Sequence, residues 1–293
     1  MACIDCGLRY AETASVPVLV TDPTWVDHDE LDHGNPGHRH DHDHKSFQVE
    51  HFDRRVGEEF EISRPVGATR LYRFLLAEKF RRAIDPIRPH LVGASALTVC
   101  GGSGMDAEFL VRAGAIVTSS DLSLGAAQRV NRRAERHRVQ ITSIVADVEL
   151  LPFGDRSVDL VAVHDGLHHL GDPWTGLAEM ARVAGRWVVV TEPAKASVTR
   201  AAVRVGLALE TEEAGNRVAR MDPKEVASFL EARGFRVLRA ERYAMYYRHQ
   251  PGWVFGLLSS PILFPAVRLG WRLANAAVGR FGNKMVVVAE RVE

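Results

Sequence analysis

The sequence has few of the features that mark specialised classes of protein. It contains three cysteines in 293 residues, and this small, odd number excludes a disulfide scaffold. Lysine plus arginine equal aspartate plus glutamate at 37 each, so the net charge gives no general attraction for nucleic-acid backbones. No basic region followed by an apolar stretch opens the chain, and we expect no signal peptide. We therefore expect a cytoplasmic protein without a nucleic-acid partner.

What the sequence does have is a glycine-rich turn between a short apolar strand and a helix. Residues 96–100 form the apolar strand, and the helical pattern begins near Asp106. Gly101, Gly102 and Gly104 permit positive φ and carry no Cβ, so the backbone of the turn can approach a ligand closely. Such a turn is typical of loops that cradle nucleotides at the carboxyl end of a strand.

An acidic residue ends the next strand. Residues 115–120 precede Asp121, about twenty residues beyond the turn, where a carboxylate can accept hydrogen bonds from ribose hydroxyls. Residues 102–107 also fit the dinucleotide fingerprint. These two features leave nicotinamide and S-adenosyl cofactors both open.

A third strand separates the two cofactor classes. Residues 140–146 lead into Asp147 and Val148, and an acid at this strand end is suited to adenine. In order and spacing, the motifs of residues 94–192 resemble those of class I S-adenosylmethionine-dependent methyltransferases, nearest to the small-molecule type of ubiquinone and menaquinone biosynthesis. The motifs are Val99-Cys-Gly-Gly-Ser-Gly104, Ser120-Asp-Leu122, Ala146-Asp-Val148, Leu151-Pro-Phe153, Val158-Asp-Leu-Val-Ala-Val163 and Leu167-His-His-Leu170.

The resemblance implies S-adenosylmethionine as the cofactor and a set of residues that line it. These residues are Cys100, Gly102, Gly104, Asp121, Leu122, Asp147, Val148 and His164. Two positions depart from the family pattern, which usually has an acid where Thr98 stands and a glycine where Cys100 stands.

Strand and helix segments alternate from residue 96 to residue 191, which predicts a parallel sheet covered by helices. Strands 158–163 and 187–191 are apolar on both faces, as doubly covered strands must be. The resemblance implies an α/β fold, a Rossmann-like doubly wound sheet in a three-layer α/β/α arrangement. Strands 234–243 and 284–290 would form its antiparallel C-terminal edge pair, which an ordinary dinucleotide domain lacks.

Candidate catalytic residues follow the strand that ends at Val163. Methyl transfer to a hydroxyl needs a base near the operating pH, and histidine is the simplest choice. We expect His168 to be the general base, with Asp165 as its orienter or as a substrate contact. The alternative is that His168 and His169 hold the loop ahead of residues 172–173. Glu192, after the next strand, is a second candidate for substrate contact, or else a helix cap.

The remaining segments divide the chain into an appendage, a lid and the main domain. Residues 1–45 contain Cys3, Cys6 and a histidine-rich run at 38–44, and resemble a half zinc-ribbon that would bind zinc, or else form a linker. Residues 46–93 would form a helical lid, with a helix over 68–83, and residues 94–293 the methyltransferase domain.

An apolar insertion interrupts this domain at residues 245–281. Its uncharged core, 251–267, falls just short of the roughly twenty residues that span a bilayer, and prolines interrupt it. We expect it to cover the pocket or to meet a second subunit in a homodimer. The alternative is a membrane-surface contact through 251–268, motivated by Arg268, Arg272 and Arg280.

The sequence thus predicts a methyltransferase for a small, apolar acceptor such as a quinone, phenol, lipid or natural product. Two other functions stay open at this point. One is a nicotinamide-dependent oxidoreductase, in which Asp147 would have no role. The other is a non-catalytic protein that binds an adenosyl ligand or a metal.

Overall fold

The computed structural model describes residues 10–13, 15–20, 39–54, 69–196, 220–246 and 252–292. Cys3 and Cys6 lie outside these residues. The helices are α1 (Arg39–Arg54), α2 (Arg70–Ile84), α3 (Met105–Arg112), α4 (Leu124–His137), α5 (Pro173–Val183), α6 (Pro223–Glu231), α7 (Trp253–Leu258) and α8 (Phe264–Val278). The strands are β1 (Ala11–Thr13), β2 (Val16–Val18), β3 (Ser95–Val99), β4 (Ile116–Asp121), β5 (Ile141–Val145), β6 (Val158–His164), β7 (Ala184–Pro193), β8 (Phe235–Tyr243) and β9 (Lys284–Arg291).

Within this described part, the strands form one sheet in the order β1-β2-β5-β4-β3-β6-β7-β9-β8. Neighbouring strands from β5 through β7 are parallel, whereas β9 pairs antiparallel with both β7 and β8. The predicted α/β fold and its antiparallel C-terminal pair are therefore confirmed. The chain order reverses on either side of β3, and this switch point is where open α/β sheets bind ligands.

The strands at the centre of the sheet are buried on both faces. Along β6, Val161 and Val163 pack into one apolar cluster, while Leu160 and Ala162 pack into the other. Alternating side chains point to opposite faces of a strand, so each face needs its own cover of helices. This explains why residues 160–163 of the strand are continuously apolar in the sequence.

The N-terminal hairpin extends this sheet. Strands β1 and β2 pair antiparallel, and β2 joins β5 in parallel through Val18 and Val145. Val16 and Val18 are buried against Ala127 and Val145. The hairpin therefore adds two strands to the sheet on the side of β5.

Helices α7 and α8 lie on the outside of α2, which in turn packs on β7 and β9. The ring of Phe74 in α2 meets Phe264 and Trp271 edge-on, at centroid distances of 5.9 and 5.4 Å. The Leu71 amide donates to Ser259 Oγ over 3.0 Å. Helices α7 and α8 of the insertion therefore cover α2, whereas residues 279–281 pack on β8. No helix among the described residues is long and apolar enough to cross a membrane.

Candidate functional site

The glycine-rich loop after β3 packs against β4 on one side and is open on the other. Cys100, Gly102 and Gly104 all have positive φ, at 52°, 54° and 76°. A Cβ placed on Gly101 would lie 2.3 Å from Ser119 Oγ, so this part of the loop rests directly on β4. A Cβ on Gly102 would meet nothing within 4 Å. The loop therefore faces open space at Gly102, as a ligand cradle must.

Cys100 adopts the backbone conformation that its usual glycine counterpart would favour. Its side chain packs over Gly166, where an added Cβ would lie 2.4 Å from Cys100 Cβ. Burial raises the pKa of the Cys100 thiol well above its ordinary value, and the nearby carboxylates of Asp121 and Glu192 add to this effect. The thiol is therefore neutral and serves as packing next to the crevice.

Asp121 ends β4 and ties the glycine loop to the start of α4. Its carboxylate accepts from the Gly102 amide and from the Ser123 amide, each over 2.9 Å. Burial raises the pKa of Asp121, and the two amide donors oppose that rise. A carboxylate has about four lone-pair positions, so two remain for ligand hydroxyls. The neighbouring Leu122 is half-buried.

Thr98, at the position where an acid is usual, is fully buried beneath this loop. Its hydroxyl donates to Ser119 Oγ over 3.0 Å, and its carbonyl accepts from Ser120 Oγ over 3.2 Å. Thr98 therefore links β3 to β4 rather than presenting a charge to the crevice.

Asp147, after β5, meets a lysine that motif spacing did not indicate. Its carboxylate accepts from the Glu149 amide over 2.9 Å and from Lys45 Nζ, on α1, over 2.8 Å. Burial disfavours the charge on Lys45, but its hydrogen bonds to Asp147 and Glu149 raise its pKa overall. Val148, by contrast, points into the core beside Leu151 and Leu167.

Helix α1 continues from this lysine across the carboxyl ends of the strands. Asp53 accepts from Ser123 Oγ and from the Gly125 amide, the latter over 2.7 Å, at the N-terminus of α4. The Phe52 ring lies edge-on to His169 at 5.6 Å. The backbone of the histidine-rich run joins this helix from residue 39 onward. A lid was expected over residues 46–93, but neither Lys45 nor Asp53 was identified as one of its anchors.

His164 lies at the end of β6 between α2 and β7. Its ring stacks on Phe80 at 4.6 Å. Its Nε2 is 3.2 Å from Lys79 Nζ, and its Nδ1 is 3.2 Å from Thr191 Oγ1. Helix α2 thus places an aromatic ring and a buried amine directly over this strand end.

Asp165 pairs with two lysines. Its Oδ2 contacts Lys79 Nζ and lies 2.9 Å from Lys284 Nζ at the start of β9. Burial alone would raise the pKa of Asp165, but Lys284 and Lys79 hold it well below its ordinary value. Burial lowers the pKa of Lys79 to about 8, although Asp165 opposes this shift.

The carboxylate that orients His168 comes from Glu192, at the end of β7. Glu192 Oε2 lies 2.7 Å from His168 Nδ1, and Oε1 accepts from the Gly166 and Leu167 amides over 2.9 and 2.7 Å. When both Glu192 oxygens act as acceptors, His168 Nδ1 is the donor of this bond and Nε2 is the basic nitrogen. Asp165, expected as the orienter, makes its hydrogen bonds to lysines instead. Asp165 and His168, the first and last residues of the turn 165–168, are therefore held by different partners. Two lysines hold Asp165, and Glu192 holds His168.

The predicted site residues that the structure describes converge on one edge of the sheet, at the carboxyl ends of β3 to β7. No group of three or more potential metal ligands occurs among the described side chains. The proposed zinc ligands, Cys3 and Cys6, lie outside them.

This sheet order, with a glycine loop and acidic strand ends at its switch point, defines a methyltransferase-type Rossmann fold. Residues 97–186 match the family model described as a methyltransferase domain. The magnesium protoporphyrin IX methyltransferase of Synechocystis PCC 6803, solved with bound SAH, superposes with a TM-score of 0.55 at 17% identity, over 84% of this chain and 96% of that one. A putative sarcosine dimethylglycine methyltransferase from Galdieria sulphuraria gives 0.53 at 18% identity, over 83% and 96%. These likenesses support the fold.

A more specific relative is found by sequence. The demethylmenaquinone methyltransferase of Corynebacterium urealyticum is 37% identical over 131 residues, which is 44% of this chain and 51% of the relative. The chain therefore spans about half the length of this curated relative. The predicted resemblance to methyltransferases is confirmed over this central segment.

Proposed function

We propose that this protein is an S-adenosylmethionine-dependent methyltransferase for a small, apolar acceptor. The observation that carries the proposal is the hydrogen bond that the Gly102 amide donates to Asp121, at a position where the loop faces open space. Such a loop and carboxylate suit an adenosyl ligand, and the general base proposed for the acceptor stands at a neighbouring strand end.

The residues present fit the cofactor. Asp121 would accept from the ribose hydroxyls, with Leu122 beside it, and Asp147 and the chain at Val148 would flank adenine. Cys100, Gly102 and Gly104 would hold the rest of the ligand close to backbone, and His164 would line the crevice. When bound, the cofactor supplies an electrophilic methyl group on a sulfonium.

The chain's own contribution to the chemistry is to place and deprotonate the acceptor. His168 would take the acceptor proton at Nε2, because Glu192 fixes the proton on Nδ1. Asp165, held by its two lysines, would contact the acceptor or set the local charge. Positioning supplies much of the rate in an in-line displacement.

The proposed class of acceptor is based on the relatives found by sequence comparison. The curated match is a demethylmenaquinone methyltransferase, which supports a quinone-like or phenol-like substrate. Zinc at Cys3 and Cys6, a homodimer and a cytoplasmic location stay predictions. Mass spectrometry of metal content in untagged protein tests the first of them.

Calorimetric titration of the full chain with S-adenosylmethionine, S-adenosylhomocysteine and NADH tests the proposal. We expect the two sulfur ligands to bind and NADH not to bind. Asp121→Ala should abolish binding, whereas Asp159→Ala, at the opposite end of β6 beside Ser95, should leave it unchanged. Binding of NADH alone would overturn the proposal in favour of an oxidoreductase.

A further inference from the structure

Helices α7 and α8, with the turns beside them, carry large apolar side chains that are half or more exposed to solvent. Their inner sides pack on α2 through residues such as Phe264, Val267 and Trp271. Their outer sides present a second apolar surface, which we term the outer face. The outer face consists of Trp253, Leu257, Ile262, Leu269, Leu273 and Phe281, each at least half exposed. A helix that is apolar on both sides ordinarily needs a partner on each side.

The chain segment that carries the outer face contains charges of one sign only. Residues 242–289 contain no aspartate or glutamate, although six arginines and lysines occur there. Along α8 the charged residues are Arg268 and Arg272, and Arg280 follows its end. No carboxylate in the described parts of the chain pairs with Arg268 or Arg280. The apolar surface is therefore bordered by uncompensated positive charge.

A basic groove lies beside the outer face, between α2, β8 and α8. Six basic side chains line it, namely Arg81, Arg82, Lys224, Arg242, Arg272 and Arg280. Three carboxylates, Glu78, Asp222 and Glu241, line it as well, and they pair with some of these cations. The groove thus keeps a net positive charge, and the half-exposed Phe281 of the outer face lines it.

We infer that the outer face docks this protein on the surface of an anionic lipid bilayer. Exposed Trp and Leu side chains would enter the boundary between headgroups and acyl chains, and Arg268, Arg280 and the basic groove would meet lipid phosphates. The helices lie along the surface, since neither is long enough to span a membrane. This inference stands without the proposed acceptor, although an apolar acceptor dissolved in the bilayer would be delivered close to α2.

A second copy of the chain fits this surface less well. In a two-fold dimer through the outer face, each subunit would present the same acid-free surface to its partner. The charges of this segment would all be positive, and the three carboxylates of the neighbouring groove already pair with other cations, which disfavours association. Anionic lipid supplies the missing negative charge.

Vesicle flotation of the full chain tests the inference, with vesicles of phosphatidylcholine alone or mixed equally with phosphatidylglycerol. We expect the wild type to float with the mixed vesicles and to be released by added salt. Leu269→Glu with Leu273→Glu should weaken this binding about tenfold or more, because two apolar contacts are lost. Arg268→Gln with Arg280→Gln should remove most of the preference for phosphatidylglycerol.

The matched control is Val92→Glu with Ile116→Glu, two residues 81% and 70% exposed near the amino ends of β3 and β4. It adds the same charge and should float like the wild type. All variants alter exposed side chains, and circular dichroism and urea unfolding check that they are folded. Absence of flotation by the wild type would overturn the inference. So would equal flotation of the Leu269 and Leu273 variant, or a dimer that this variant breaks without any vesicle binding.

Discussion

The imidazole of His168 and the carboxylate of Glu192 form a buried hydrogen-bonded pair, 2.7 Å apart at the carboxyl end of the sheet. Glu192 is fully buried and His168 is 3% exposed. The second oxygen of Glu192 accepts two backbone amides of the turn that carries His168. One side chain therefore fixes the position of the histidine, the direction of its ring and the nitrogen that bears its proton.

Glu192→Gln should lower turnover by about a hundredfold to ten-thousandfold while leaving cofactor affinity nearly unchanged. The glutamine oxygen can still accept from the Gly166 and Leu167 amides, so the turn keeps its shape. Its amide group would donate to His168 Nδ1, which moves the imidazole proton to Nε2 and removes the basic nitrogen. Single-turnover kinetics and calorimetry together separate the two effects.

His168→Gln is the companion variant. It should lose turnover to a similar extent, and the double variant should be little worse than either single one, because the two residues act as a unit. Near-normal turnover of His168→Gln would eliminate the histidine as base and leave the pair with a purely structural role.

The buried amine of Lys79 should make stability depend on pH in the alkaline range. Its pKa is about 8 in the folded protein and 10.5 in the unfolded chain, so between these values the unfolded chain binds more protons. The free energy of unfolding should therefore rise as pH rises through this window, by roughly 3 kcal/mol in total. Lys79→Met should lack this rise, whereas Lys224→Met, on the surface, should keep it. Urea unfolding at about pH 7 and about pH 10 measures the difference.

Cys100 and Gly166 should show strong energetic coupling. Gly166→Ala should destabilise the protein by about 1–3 kcal/mol, because its new methyl group would meet Cys100 Cβ at 2.4 Å. Cys100→Gly removes that obstacle and also suits the left-handed backbone at this position. The double variant should recover much of the lost stability, and a double-mutant cycle by urea denaturation gives the coupling. Additive effects would show that the loop moves to avoid the contact.

Asp53 should control how firmly α1 stays on the sheet edge. Asp53→Ala removes the acceptor for Ser123 Oγ and for the Gly125 amide, and should reduce the docking free energy of α1 by about 1–2 kcal/mol. Hydrogen exchange of the amides of residues 45–53 should then accelerate. Asp53→Asn keeps an acceptor oxygen and should show a smaller change. Equal exchange in wild type and Asp53→Ala would mean that Lys45 and Phe52 suffice to hold the helix.

Local sequence pattern identified the parts of the site that follow directly from strands. Gly102, Asp121, Asp147 and His164 each end a short apolar segment, and parallel strands bring their carboxyl ends to one edge. Spacing along the chain therefore contained enough information to place them. The antiparallel strand pair was predictable for a different reason, since it belongs to the family that the motifs resemble.

The partners of these residues were not predictable in the same way. Lys79 and Lys284 lie 86 and 119 residues from Asp165 along the chain, and neither stands in a motif. The position of Glu192 after β7 predicts a substrate contact or a helix cap, whereas its bond to His168 depends on the register of β6 against β7. Such contacts depend on how the lid helices and the edge strands pack in the folded protein. The periodicity of a single sequence carries no information about that packing.

The position of β9 also bears on how the protein is made. β9 lies between β7 and β8, and it delivers Lys284 to Asp165. During synthesis β8 leaves the ribosome before β9, the strand that joins it to the sheet. Until β9 is made, Asp165 lacks Lys284, one of its two cations. The contact between Asp165 and Lys284 therefore forms only after the last strand of the sheet has been made. A chain whose synthesis stops before β9 would therefore contain Gly102 and Asp121 but lack Lys284, the second cation of Asp165.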